Sequence, residues 1–151
     1  MPATGTAYTQ QTTFGVSNGP TYQGQTIVPP VLTGTETYRN YSAQVLFGAS
    51  GQVIDAVGFA QANWLAMGFT MVLDPVQTGT PTPAELLAAT VTIHLKDCVG
   101  GVADFDIVLG VGQSASWVVI PASITDDCTS ITIDGDANCD CDVYGLLLLS
   151  A

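Results

Sequence analysis

At 151 residues, 47% apolar and only 10% charged, the chain is long enough for one domain with a sizeable core and too apolar for disorder. Two basic side chains, Arg39 and Lys96, stand against thirteen acids, a formal charge of −11 that excludes nucleic acid and anionic membranes as partners, because phosphate contacts need clustered Lys and Arg. The surface must then be covered by Thr, Ser, Gln, Asn and Gly with apolar area left over, a composition suited to packing against partner proteins.

Residues 1–35 carry no charged side chain and are rich in Thr, Gln, Gly and Pro, with Tyr8, Phe14 and Tyr22 spaced along them. Disordered segments bring charge and few aromatics. The stretch therefore reads as an extended arm that orders against a neighbouring molecule through those three rings, and Pro29-Pro30 stiffens its junction with a body spanning 36–151. Met1–Tyr22 has neither the basic start nor the apolar centre of a secretion signal. The longest apolar run, Val57–Leu73, is broken by Gln61 and Asn63 and is short for a membrane span. The expectation is a soluble chain made in a cytoplasm.

In the body, Ser42–Phe47 and Gln52–Val57 read as strands around a Gly48–Gly51 turn, and Asn63–Leu73 as a mostly apolar run stopped by Asp74-Pro75, its Trp64, Met67, Phe69 and Met71 expected in the core. Thr82 as cap, Pro83 at the first helical position and Glu85 three residues after the cap predict one short helix. Next come two alternating runs: Val91, Ile93 and Leu95, then Phe105, Ile107 and Leu109, parted by Gly100-Gly101. They predict a hairpin with Leu95 opposite Phe105, Ile93 opposite Ile107, His94 opposite Asp106 and Lys96 opposite Asp104. Ala115–Ile120 is a further strand ended by Pro121, and Thr129–Asp134 and Cys139–Leu149 close the chain as a last hairpin. Together these imply an all-β fold, an antiparallel β-sandwich with jelly-roll connectivity as one option.

Chemistry concentrates late: nine of the thirteen acids lie from Asp97 onward. Asp134, Asp136, Asn138, Asp140 and Asp142 follow the alternating oxygen spacing that opens a calcium loop, and are the candidate calcium ligands. Cys139 stands where such a loop needs its turn glycine and Gly145 where it needs a bidentate Glu, so a solvated acidic turn is the favoured reading. Cys98, Cys128, Cys139 and Cys141 lack the paired spacing of a zinc site; a disulfide from Cys128 to Cys139 or Cys141 and four reduced thiols both stand. His94 can pair with Asp106, yet no nucleophile can be placed beside it from spacing, and the chain is read as non-enzymatic with no required cofactor.

The charge-free arm Pro2–Thr35, the Thr/Gly/Gln-rich β body and the scarcity of Lys and Arg resemble the small virion proteins of tailed bacteriophages, especially capsid decoration or cement proteins. The resemblance spans the chain but carries no diagnostic motif. It implies a β-rich homotrimer on the outer capsid surface, stapling the major capsid protein against internal pressure, with no nucleic acid or membrane as partner. A tail or head-fibre component and a calcium-dependent adhesion or ligand-binding sandwich are the alternatives.

Overall fold

The computed structural model describes residues 33–150; residues 1–32, with Tyr8, Phe14 and Tyr22, lie outside the described residues. Eight strands and a helix follow in order: β1 (Thr37–Val45), β2 (Gln52–Asp55), β3 (Trp64–Leu73), α1 (Pro83–Ala88), β4 (Thr90–Val99), β5 (Ala103–Gly110), β6 (Ser114–Trp117), β7 (Ile131–Asp134) and β8 (Cys141–Leu149). They build two antiparallel sheets, sheet A in the order β1-β8-β3-β6 and sheet B in the order β2-β7-β4-β5.

The pairs nest. β1 pairs with β8, β2 with β7, β3 with β6 and β4 with β5, as in one long hairpin folded at the β4–β5 turn. Rolling that hairpin up adds the β3–β8 and β4–β7 pairs and splits it into two sheets. This is jelly-roll connectivity. Its consequence is that β4 and β5 are the only consecutive strands that pair with each other among the described residues. The expected last hairpin is therefore corrected: β7 belongs to sheet B and β8 to sheet A, and the acidic segment between them crosses from one layer to the other. Gln52–Asp55 likewise leaves β1 for the opposite sheet.

Within the β4–β5 hairpin the expected register holds at Ile93–Ile107, His94–Asp106 and Leu95–Phe105. It then shifts before Val99 meets Ala103, because β4 carries two more residues than β5 in that interval. Asp97 absorbs the excess at φ +60°, a left-handed conformation that Asp tolerates better than most residues. The short helix forms with its full capping box: Thr82 accepts from the Glu85 amide, and the Glu85 carboxylate accepts from the Thr82 amide at 2.6 Å.

Alternation along the strands sends Val91, Ile93, Leu95, Ile107, Leu109, Ile131 and Ile133 of sheet B against Val45, Met67, Phe69, Met71, Val143 and Leu147 of sheet A, all buried. Trp64, Met67, Phe69 and Met71 are thus core, as expected. One glycine sets the geometry of that core. Gly145 sits mid-strand in β8 with Tyr41 of β1 on one side and Phe69 of β3 on the other. The two rings stack, with centroids 6.0 Å apart and planes 18° from parallel. A Cβ on Gly145 would lie 2.4 Å from Phe69 Cε1 and 3.2 Å from Tyr41 Cδ2, so only glycine leaves room for both rings.

Replacing Gly145 by Ala is expected to cost about 1–3 kcal/mol, the usual range for overpacking a core. The midpoint of denaturant unfolding would report it, and an unchanged midpoint would contradict the fit described for the aromatic pair.

Candidate functional site

Three groups of ionisable side chains are built into the fold. The first ties the sheets together at the start of β1. Asp55, buried at the end of β2, accepts from Arg39 Nη1 at 2.7 Å and from the Tyr41 hydroxyl at 2.6 Å through Oδ2. Its Oδ1 accepts from the amides of Val57 and Gly58, each at 2.9 Å. Arg39 also donates to the Gly58 carbonyl at 2.5 Å. Burial works to raise the Asp55 pKa, but the four donors outweigh it and hold the carboxyl below its ordinary value. Gly58 is required here: its φ is +61°, and a Cβ would stand 1.8 Å from the Cys128 carbonyl oxygen. That closeness follows from the Phe59–Cys128 bridge, which holds the loop after β2 to the loop before β7.

The second group is the acidic segment read as a calcium loop or a solvated turn. Asp134 Oδ1 accepts from the Gly51 amide at 2.7 Å, and Asp136 accepts from the amides of Thr90, Asn138 and Cys139 at 2.8–3.0 Å. Asp140 is 0% exposed. Its Oδ1 accepts from the Phe47 amide at 2.8 Å and its Oδ2 from the Thr78 amide and hydroxyl at 2.6 and 2.7 Å. Here too burial pushes the pKa up and the donors more than reverse it. Asn138 is exposed, and Asp142 points off β8 beside Asp74, where burial and the neighbouring acid raise its pKa. The five residues thus face different elements. Asp134, Asp136 and Asp140 spend their oxygens on backbone amides and, at Asp134 and Asp140, on a side chain as well, and the reading of the segment as solvated is corrected at Asp140, which is a buried clasp between the β1–β2, β3–α1 and β7–β8 connections. Beside it, Phe47, Pro81, Glu85 and Asn138 help to line a shallow depression of about 290 Å³.

The third group is a charge ladder on the outer side of sheet B. Lys96 Nζ lies 2.6 Å from Asp104 Oδ2, as the predicted pairing required. His94 is held on both sides, with Nδ1 2.6 Å from Asp106 Oδ1 and Nε2 3.0 Å from Asp134 Oδ2. Asp134 was the partner that strand alternation within the hairpin could not supply, since it comes from β7 across the β4–β7 pairing. His94, Asp104 and Asp106 form the group of three metal-capable side chains whose ligand atoms lie within 4.8 Å of one another among the described residues. Asp104 is already engaged by Lys96 and by the Asp97 amide, so the group is occupied by the protein's own donors.

All four cysteines are free and buried. Cys128 precedes β7 and Cys139 follows it, so these two flank a strand and do not face each other across a hairpin as expected. Burial raises every thiol pKa, to about 12 at Cys128 and Cys141, far from the thiolate that nucleophilic or redox chemistry needs.

No protein-family model matches the chain, and no curated protein does. Among solved structures, it is similar to a subunit of the Bacillus endospore appendages, described as disulfide-linked pili, at 17% identity over 83% of this chain and 98% of that one, TM-score 0.38. It is similar to a chain of the acid-stable capsid of Helicobacter pylori bacteriophage KHP30 at 9% identity, covering 76% and 91%, TM-score 0.40. A chain of the IBDV viral particle follows at 17% identity, 83% of this chain but 36% of that one, TM-score 0.31. Likeness at this level carries no argument about function.

A neutral imidazole donates from one nitrogen only, so both His94 contacts are satisfied as hydrogen bonds when the ring is protonated. Burial lowers its pKa, but the bonds to Asp106 and Asp134 raise it above the ordinary value overall. The sign follows: the stabilisation is complete below about pH 6.5 and is lost as pH rises through the higher folded-state value. Melting temperature measured from pH 5 to 9 should therefore fall toward the alkaline end, and His94→Asn should flatten that fall. The same slope in both proteins would contradict the assignment.

Proposed function

We propose that the protein is a non-enzymatic structural component of a virion, seated on the outer surface of a bacteriophage capsid as a homotrimer and bearing on the major capsid protein. The observation that carries this reading is where the body spends its charge. Both cationic side chains are engaged by aspartates, His94 lies between two more, and Asp55, Asp136 and Asp140 hold backbone amides. These ionisable groups brace the protein's own loops rather than converging on a cleft.

What the body offers outward is neutral and partly apolar. Val53, Val57, Val76, Leu87, Val102 and Val108 are all more than half exposed, interspersed with Thr, Ser, Gln and Gly. Such a surface docks by burial of apolar area and by backbone and hydroxyl hydrogen bonds, at low cost in charge desolvation. Residual negative charge suits an exterior position, away from a packaged genome that would call for cations. A jelly roll whose first and last strands pair with each other inside one sheet resists being pulled apart, which a shell-bracing part requires.

Two measurements test the reading together. Native mass spectrometry should show a trimer, and immunogold labelling of virus particles from the source culture should decorate the outside of heads. Attachment should weaken little between 0.1 and 1 M salt, since screening acts on ionic contacts and not on apolar ones. Label absent from particles, or attachment abolished by salt, would contradict it.

A further inference from the structure

We propose that the depression beside Asp140 is a receptor for an arginine side chain presented by a partner protein. Its walls come from three connections and the helix: Phe47 from β1–β2, Gly79, Thr80 and Pro81 from β3–α1, Glu85 from α1 and Asn138 from β7–β8. At about 290 Å³ it lies at the lower bound, roughly 300 Å³, of small-molecule sites, so it suits one side chain better than a whole metabolite.

The walls are fixed before anything binds. Asp140 accepts from the Phe47 amide at 2.8 Å and from the Thr78 amide, next to Gly79, at 2.6 Å. Asp136 accepts from the Asn138 amide at 2.8 Å. The Phe47 ring rests against Gly79, where an added Cβ would come within 3.3 Å of Cε1, yet Phe47 stays 45% exposed. Glu85 gives its Oε2 to the Thr82 amide, while its Oε1 has no hydrogen-bond partner among the described residues. An open aromatic ring and a spare carboxylate oxygen therefore face the same small volume.

That pairing selects a guanidinium. No basic side chain stands among the lining residues, and Arg39 and Lys96 are paired with aspartates elsewhere. Burial and then the charges of Asp136, Glu85 and Asp140 raise the Cys139 pKa, so three carboxylates converge beside the depression and favour a cation there. An apolar plug would strip water from Glu85 Oε1 and leave it unpaired. An ammonium would meet that oxygen as a point charge. A guanidinium can also lie flat on the Phe47 ring and fork its remaining donors toward the exposed Asn138 carboxamide. The arginine comes from a different protein, because Arg39 is the only one in this chain and Asp55 holds it at 2.7 Å. The inference stands whether or not that partner is a capsid subunit.

The test titrates N-acetyl-arginine amide into the full-length, isotope-labelled protein and follows the backbone amide resonances. The citrulline counterpart serves as an uncharged probe of the same shape, and the lysine counterpart as a cation without the planar fork. Saturable shifts at Phe47, Gly79, Thr80, Glu85 and Asn138 are expected, with a Kd on the order of 1 mM for a ligand of this size. Both counterparts should bind about fivefold more weakly, the usual worth of an exposed ionic or stacked contact. Glu85→Gln keeps an acceptor for the Thr82 amide, as Gln does in a capping box, and should weaken the arginine probe about fivefold as well. Shifts elsewhere or none, equal binding of either counterpart, or full affinity in a folded Glu85→Gln protein would overturn the proposal.

Discussion

Two buried carboxylates hold the ends of this jelly roll. A nested hairpin brings its strands together in pairs, but the connections that cross between layers are long and polar, and their amides need partners once water is removed. Asp55 supplies acceptors near the start of β1, to Arg39 and Tyr41, and Asp140 just beyond its end, to Phe47. Each gathers donors from separate segments: Arg39, Tyr41, Val57 and Gly58 in one case, Phe47 and Thr78 in the other. A neutral side chain could accept fewer of these bonds and more weakly, since bonds to an ionised acceptor are about twice as strong as neutral ones. The acidity that shapes the composition is therefore partly structural.

That use of charge bears on what the protein can do. An acid surrounded by amide donors is poorly placed to give up or take a proton near neutrality, and a thiol pushed up to about 12 is no nucleophile. With much of its charge turned to bracing, the proposed virion role would have the body dock through hydroxyls, backbone and scattered aliphatic groups. Beyond the main core, Ala66, Val118 and Leu148 form a second small apolar cluster, with Leu65 packed against it.

Local structure was legible where a short-range rule acts alone. The Thr82–Glu85 box, the β4–β5 register and the Lys96–Asp104 pair follow from spacing within a few residues. Contacts made by rolling the hairpin were not. Nothing near Asp140 in the chain points to Phe47 or Thr78, respectively 93 and 62 residues away, so an acidic run reads as a wet turn when one of its members is dry. Asp134 reaches His94 by the same long-range pairing. Asp55 does carry a local signal: an Asp followed at two and three residues by amides it can accept from, ending in a glycine. The tight place of Gly145 depends on rings from two neighbouring strands and has no signature within β8.

The crossing loops are held by these acids as firmly as the strands are held by their ladders. Residue-resolved amide hydrogen exchange at neutral pH tests it most directly. The amides of Phe47, Val57, Gly58 and Thr78 should exchange as slowly as those of β3 and β8, through opening of the whole body. Exchange at those four sites as fast as in exposed loops, beside protected strands, would show that the carboxylates do not hold the ends and would contradict the account.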